Sequence, residues 1–355
     1  MNRNCGLYFT EKACTPMKRP SRFLPLQILP FAIVAALAFL SLRTAAQTCQ
    51  TADDMDAQLR AALTTAGQRY FDMAAKGDTV SLRQNSIPAV ASDFAGIEAL
   101  VKDRQPTLAG VQPAVKSAFL LSAENLAANQ RPEFYCGVFG KNGQTADSAE
   151  FYIPDLQPGK YAVVLIDAAS TQGRTMFSEV LQQIGNDWKL GGLYIRSAQT
   201  AGHNSDWFVA QARQFKARNQ LRNAWFYYAE ARSLVSPVPM MSTLATDRLY
   251  DEMQAVRPTD LPAAGKAASL ADGAASYTLT AAFLAGVDSD LDLVVRHESA
   301  NAGDNNLAYQ ENVNLIKALV TKFPELRDGF AGVVARSVDS SGHDYGTLVS
   351  MKDIK

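Results

Sequence analysis

The clearest indication of the fold class of this 355-residue chain is the stretch Thr175-Met-Phe-Ser-Glu-Val-Leu-Gln-Gln-Ile-Gly-Asn-Asp-Trp-Lys-Leu-Gly-Gly-Leu-Tyr-Ile195. Apolar and β-branched residues recur in both halves of the stretch, and the turn residues Gly185-Asn186-Asp187 stand between them. This arrangement is typical of two antiparallel strands joined by a tight hairpin. We therefore predict strands over residues 175–184 and 188–195.

Four further β-like stretches precede this hairpin, at residues 115–121, 134–139, 149–153 and 161–168. Pro158-Gly159 predicts that the last two of them are neighbouring antiparallel strands. Before Pro106, apolar residues instead recur every three or four positions, most clearly in residues 54–76, which is the spacing of one face of an α-helix. Helices followed by a run of antiparallel strands predict an α+β fold.

The order of these elements resembles the nuclear transport factor two-like fold, which includes the SnoaL-like proteins. The resemblance is carried by Tyr70-Phe-Asp-Met-Ala-Ala-Lys-Gly-Asp78, at the junction of a long and a short helix, and by Gly185-Asn-Asp-Trp-Lys-Leu190 in the late hairpin. It covers about residues 54–197. It implies a curved, cone-like sheet whose apolar pocket, in different relatives, holds a small ligand, hosts acid–base catalysis or is filled by side chains.

One face of the first helix and one face of the sheet would line such a pocket. The candidate ligand-binding residues from the two elements are Tyr70, Met73, Tyr161, Val163 and Leu165. Asp167 ends the same strand face, where burial is expected to raise its pKa towards neutrality, so it is the candidate general base. The alternative is that Asp167 only leads into the turn at residues 168–173.

Residues 203–256 are predicted to form a helical hairpin. The spacing of Ala212, Phe215, Asn219, Ala224, Tyr228 and Ala231 resembles a single tetratricopeptide repeat. Because one repeat cannot bury its faces alone, we expect the hairpin to pack against the first domain. The aromatic run Trp225-Phe-Tyr-Tyr228 covers every side of its helix, which favours a role in the core over a carbohydrate-binding platform.

The last part of the chain is predicted to be a smaller α/β unit. Residues 257–273 have the Pro, Gly and Ala content of a linker. Residues 274–355 then predict the order ββαββ, in which Tyr277, Leu279, Ala281 and Phe283 share one strand face. Asp288-Ser-Asp-Leu-Asp292 lacks the Gly and the distal Glu of a calcium loop. The aspartates are instead expected to lie on the solvent face of a strand.

The N-terminal residues 1–46 have the order of an export signal. Lys18, Arg19 and Arg22 precede an apolar run at residues 31–40, and small residues follow up to Ala46. Cleavage after Ala46 would make residues 47–200 the first folded domain. The alternative is an uncleaved membrane anchor over residues 23–42, and in both cases the remainder lies outside the cytoplasm.

The cysteine content is consistent with a location outside the cytoplasm. Cys49 and Cys136 are the two cysteines of the predicted exported part, and an even pair in an oxidising compartment predicts one disulfide. The alternative is two unpaired thiols, because sequence does not determine the distance between them.

Composition excludes several function classes. Lys and Arg number 34 against 35 Asp and Glu, so the chain has no basic excess with which to bind nucleic acid. His203, His297 and His343 lie in separate segments without metal-ligand spacing, so neither a metal nor a cofactor is predicted. Hydrophobic residues at 47% and charged residues at 19% are typical of a globular protein.

Together these features predict a secreted or periplasmic, non-enzymatic protein that binds a small apolar ligand or another exported protein. The alternative is an isomerase, dehydratase or hydrolase that acts in the pocket of the first domain. The membrane would be a partner only if the N-terminal apolar segment stayed uncleaved.

Overall fold

The computed structural model describes residues 48–126, 132–139, 143–170, 173–263, 265–273 and 275–355, so the predicted export signal lies outside the described residues. The α-helices there are α1 (Ala57–Ala75), α2 (Thr79–Gln84), α3 (Pro88–Ser92), α4 (Ala95–Leu108), α5 (Ser205–Ala217), α6 (Leu221–Leu234), α7 (Leu244–Gln254) and α8 (Asn305–Lys322). The strands are β1 (Thr48–Gln50), β2 (Pro113–Ser122), β3 (Glu133–Cys136), β4 (Ala149–Tyr152), β5 (Lys160–Ser170), β6 (Gly173–Ile184), β7 (Asp187–Ser197), β8 (Met241–Thr243), β9 (Ala268–Asp272), β10 (Ala275–Val287), β11 (Asp290–Glu298), β12 (Gly332–Val338) and β13 (Asp344–Ser350).

The fold is α+β, and these strands form three sheets. The first sheet has the order β1-β2-β5-β6-β7, the second β3-β4-β8 and the third β13-β12-β11-β10-β9. Every pairing is antiparallel except that of β11 with β12, which α8 connects. The connection is a helical crossover, as parallel neighbours require.

Helix α1 packs on one face of the first sheet, as its periodicity predicts. The Asp56 carboxylate accepts a hydrogen bond from the Leu59 backbone N–H at 2.8 Å, which caps the first turn. Gly67 faces the sheet so closely that a Cβ there would lie 2.8 Å from Val164 Cγ1. The missing side chain therefore allows the helix backbone to approach β5.

The two faces of β5 are covered by different elements. Ala162, Val164 and Ile166 belong to the core beneath α1, whereas Tyr161 and Val163 belong to a separate core against the second sheet. The prediction that the Tyr161 face looks towards the helix is wrong. Residues 161–166 are uninterrupted apolar sequence, so their pattern does not say which face the helix covers.

The two predicted hairpins have different outcomes. The turn Gly185-Asn186-Asp187 joins β6 to β7 with Ile184 opposite Asp187, which confirms the prediction. Pro158-Gly159 does not pair the strands on either side of it, because β4 lies in the second sheet and β5 in the first. The segment instead carries the chain from one sheet to the next.

The helical hairpin α5–α6 buries its apolar face on the third sheet, and it contacts the predicted first domain through polar groups such as Arg196 and Thr200, among the residues described. Phe226, Tyr227 and Tyr228 are buried in one core with residues of β10, β11 and β12, which confirms their predicted place in the core. Tyr227 Oη donates a hydrogen bond to the Gly329 backbone carbonyl at 2.6 Å. The apolar face of the hairpin is therefore covered by the third sheet, whose strands follow the hairpin in the sequence.

The C-terminal unit differs from the predicted ββαββ order. Strand β9 comes from the segment predicted as a linker, so three strands precede α8. The pairing of β10 with β11 shifts register between Leu279 and Ala281, which turns Phe283 outwards and Leu284 inwards. Asp292 is buried and does not face water as expected. It pairs with Gly332 of β12, which has no side chain, and the Asp292 carboxyl lies where a Cβ of residue 332 would be only 3.0 Å away.

A disulfide joins Cys49 to Cys136, with their Cα atoms 4.9 Å apart, as one of the two alternatives predicted. The bond attaches β1, at the edge of the first sheet, to β3 of the second. Of the helices in the described ranges, none is long and apolar enough to cross a membrane.

Candidate functional site

The space predicted as a pocket between α1 and the first sheet is filled by the protein's own side chains. Tyr70, Phe71 and Phe177 are buried there, and the rings of the two phenylalanines pack edge to face at 5.1 Å. Tyr70 Oη donates a hydrogen bond to the Trp188 backbone carbonyl at 2.8 Å. Tyr70 therefore holds the helix on the sheet and is not open to a ligand.

The five predicted ligand-binding residues are not brought together. Met73 is half-buried and lines an open polar groove along α1 of about 410 Å³. Tyr161, Val163 and Leu165 lie on the far side of the sheet, against the second sheet. Strand β5 therefore separates the helical candidates from the strand candidates.

Asp167 does not have the pKa expected of a general base. Arg174 Nε donates to Asp167 Oδ1 at 2.6 Å, a second guanidinium nitrogen reaches Oδ2, and Lys116 Nζ lies 3.5 Å from Oδ2. The Arg174 hydrogen bonds hold the pKa of Asp167 below its usual value, although partial burial opposes them. The pKa is thus shifted opposite to the prediction, because a cation on the neighbouring strand β6 outweighs burial.

Glu179 lies on β6 facing α1 and is not among the candidate residues predicted from the sequence. It is fully buried, and neither carboxyl oxygen has a hydrogen-bond partner among the described residues. Burial raises the pKa of Glu179 well above its usual value, and Arg69 opposes this only in part. The signal available in the sequence was one acid inside the otherwise uncharged stretch 175–184.

An open cleft lies elsewhere, between α6 and β10, with a volume of about 330 Å³. Its lining residues are Trp225, Phe226, Ala229, Glu230 and Ser233 of α6, and Ala282, Phe283 and Leu284 of β10. Trp225, Ala229 and Ser233 are spaced by four, so they share one face of the helix. The cleft is thus a groove with a helix along one side and a strand along the other.

The polar groups at this groove are held by residues at and after the end of β7. Glu230 accepts a hydrogen bond from Thr200 Oγ1, and Arg196 Nη2 donates to Ser233 Oγ at 2.9 Å. Burial raises the pKa of Glu230, against the smaller opposing effects of Thr200 and Arg196. A partly desolvated carboxyl thus lies at one wall of the cleft.

Two aromatic residues contribute to the walls of the cleft. Trp225 was predicted as core, yet it is only partly buried, and its buried Nε1–H has no acceptor among the residues described. Phe283 belongs to the strand wall and is 44% exposed. An apolar groove with a few fixed polar groups is the usual form of a small-ligand or peptide site.

The three histidines occupy separate places. His203 stacks on Trp207 with ring centroids 3.7 Å apart, and His343 Nδ1 lies 2.7 Å from Asp339 Oδ2. His297 is buried, with Nε2 2.7 Å from Asn312 Oδ1. In the described part of the chain, no three His, Cys, Asp or Glu side chains are grouped so as to hold a metal ion.

In comparisons with known proteins, no family model, no curated protein and no solved structure matches the chain. The contacts described above are therefore the basis on which its function is inferred.

Proposed function

We propose that the chain is an exported, non-enzymatic binding protein whose ligand occupies the cleft between α6 and β10. The observation that carries this proposal is an open groove in which the apolar residues Phe226 and Leu284 lie beside the exposed ring of Phe283.

The ligand that fits is mostly apolar. Phe226, Ala229 and Leu284 offer apolar contact. Glu230 and Ser233 are already engaged by Thr200 and Arg196, so they orient a ligand more than they attract charge. Both a small apolar molecule and a segment of another exported protein meet this description.

A secreted or periplasmic location forms part of the proposal. The Cys49–Cys136 disulfide supports it, because disulfides persist mainly in oxidising compartments. The order of charged, apolar and small residues within 1–46 supports export independently. A relation of the first domain to the nuclear transport factor two-like fold remains part of the proposal, in a version whose interior is filled.

The binding proposal is tested with the apolar fluorescent dye N-phenyl-1-naphthylamine, titrated into the disulfide-bonded protein. Ala229→Phe places a ring in the groove, so we expect the dye to bind at least about tenfold more weakly. Ala89→Phe, at an exposed position of α3, is the matched control and should leave binding unchanged. Equal dye affinity in the wild type and in Ala229→Phe would refute the proposal.

Glu179 favours a second candidate function, an isomerase, dehydratase or hydrolase. A buried carboxyl with a raised pKa beneath α1 is a general acid–base candidate if α1 can open. The test is turnover of β,γ-unsaturated ketones, β-hydroxy ketones and p-nitrophenyl esters. Turnover that Glu179→Gln abolishes while dye binding persists would support the enzyme, and no turnover in the wild type would eliminate this candidate for those substrates.

A further inference from the structure

Strand β10 has a free edge beside the cleft. Strand β9 pairs with β10 only over Ala275 to Leu279 of β10, and the pairing ends where Leu279 lies opposite Ala268 of β9. Beyond the register shift at Leu279 and Ala281, residues 281–287 pair with β11 on one side, and within the described ranges no strand pairs with their other side. Thr200 and Ala201 pack against Gly286. The outer backbone N–H and C=O groups available to another strand are therefore those of residues 281–285.

The free edge and the cleft are adjacent. The groove is lined by Ala282, Phe283 and Leu284, which also belong to the segment whose outer edge has no neighbouring strand among the described residues. The opposite wall is the face of α6 that carries Trp225 and Ala229. A groove between a strand edge and a helix fits an extended polypeptide, because the edge offers backbone hydrogen bonds and the helix contacts alternate side chains.

We propose that the ligand of this cleft is an extended segment of another polypeptide, which adds to β10 as an antiparallel strand in line with β9. This inference rests on the proposed function and names the class of ligand. The segment's backbone pairs with residues 281–285, and its alternate apolar side chains contact Trp225 and Ala229 of α6.

The charge around the groove specifies the partner further. Asp288 and Asp290 lie at the β10–β11 turn, just beyond the free edge, and neither is ion-paired with a described residue. A strand that continues the direction of β9 has its N-terminal end at this turn, since Ala268 at the start of β9 already faces Leu279. The bound segment therefore carries Lys or Arg near its N-terminal end, followed by alternating apolar residues.

The probe is a peptide selected from a displayed random nonapeptide library against the disulfide-bonded protein, with the Ala229→Phe variant as the counter-selection. We expect a consensus with alternating apolar residues and a basic N-terminal end. The synthetic consensus peptide should slow amide hydrogen exchange in residues 281–285. If no peptide binds the wild type at least about tenfold tighter than the Ala229→Phe variant, the inference is overturned.

Two variants separate strand addition from other modes of binding. A copy of the peptide with alternate backbone nitrogens methylated, on the edge that faces β10, should lose at least about tenfold in affinity. Asp288→Asn with Asp290→Asn should weaken the unmodified peptide by about three- to tenfold and reduce its salt dependence, whereas Asp53→Asn, an exposed control in the first domain, should not. Equal affinity of the methylated copy would overturn strand addition.

The outcomes also separate this inference from the proposed function. If N-phenyl-1-naphthylamine binds in an Ala229-dependent way but no peptide does, the cleft binds small molecules and only the strand proposal fails. If neither binds, both proposals fail.

Discussion

Thr200 donates a hydrogen bond to the carboxyl of Glu230, which connects the turn after β7 to the helix that lines the cleft. The same turn packs on β10, since a Cβ at Gly286 would lie 2.9 Å from Thr200 Cγ2. The first sheet, the helical hairpin and the third sheet therefore meet at this point. A ligand in the cleft would contact the residues through which these parts hold one another.

We predict that Thr200→Val destabilises the protein by about 1–2 kcal/mol, because the largely buried Glu230 carboxyl loses its hydrogen-bond donor. The measurement is urea unfolding at neutral pH. Thr278→Val, at an exposed position of β10, is the control and should change stability by less than about 0.5 kcal/mol. A similar loss in both variants would contradict the proposed role of this hydrogen bond.

Glu179 should make the protein less stable as pH rises. Its pKa in the folded state lies above that of an unfolded chain, so between the two values the folded state holds the extra proton. Stability is then greatest below the ordinary pKa of Glu and falls as pH rises through that window, by up to about 1.4 kcal/mol per pH unit. Burial of the carboxyl is the cause.

The measurement for Glu179 is the unfolding free energy from pH 4 to pH 8. Glu179→Gln has no charge to desolvate, so it should lose this part of the pH dependence and be more stable than the wild type at the alkaline end. Glu298→Gln, at the exposed end of β11, should keep the wild-type profile. Parallel profiles for the wild type and Glu179→Gln would show that the carboxyl is not desolvated as described.

Two helical glycines should respond in opposite directions to the same substitution. Gly67→Ala places a Cβ 2.8 Å from Val164 Cγ1 and 3.3 Å from Glu179 Oε2, so we expect a loss of about 1–3 kcal/mol. At Gly96 in α4 a Cβ meets nothing within 4 Å, so Gly96→Ala should gain up to about 1 kcal/mol from helix propensity. Thermal unfolding of both variants is the measurement, and stabilisation by both would mean that α1 is not in close contact with the sheet.

Removal of the disulfide should lower stability by about 4 kcal/mol, since Cys49 and Cys136 are 87 positions apart and the bond restricts a long loop in the unfolded chain. The measurement is chemical unfolding of Cys49→Ser with Cys136→Ser against the wild type. Reductant should destabilise the wild type and leave the double variant unchanged. Equal stability of the oxidised wild type and the variant would argue against a constraint on the unfolded chain.

Much of the secondary structure was predictable from local sequence. Helix α1 and the strands β5, β6 and β7 lie within a few residues of their predicted bounds, because apolar spacing and turn residues act over short distances. Strands β1, β8 and β9 were missed. Each is three to five residues long and is defined by the strand beside it more than by its own residues.

The candidate site was less predictable than the elements that form it. Trp225 and Glu230 are ordinary residues of an amphipathic helix, and the groove exists only because β10 changes register after Leu279 and α6 lies alongside. Asp167 looked like a buried acid until Arg174 on the next strand was brought to it. Both the groove and the environment of Asp167 therefore depend on contacts between different elements of the fold.

The α+β class, the order of the main elements and the single cysteine pair of the predicted exported part follow from composition and from spacing within a segment. Three features required the folded chain: the face of β5 that α1 covers, the sheet on which the helical hairpin packs, and the burial of Glu179 without a hydrogen-bond partner among the described residues. They could not be predicted because an apolar surface on a helix or strand specifies burial but not the partner that buries it.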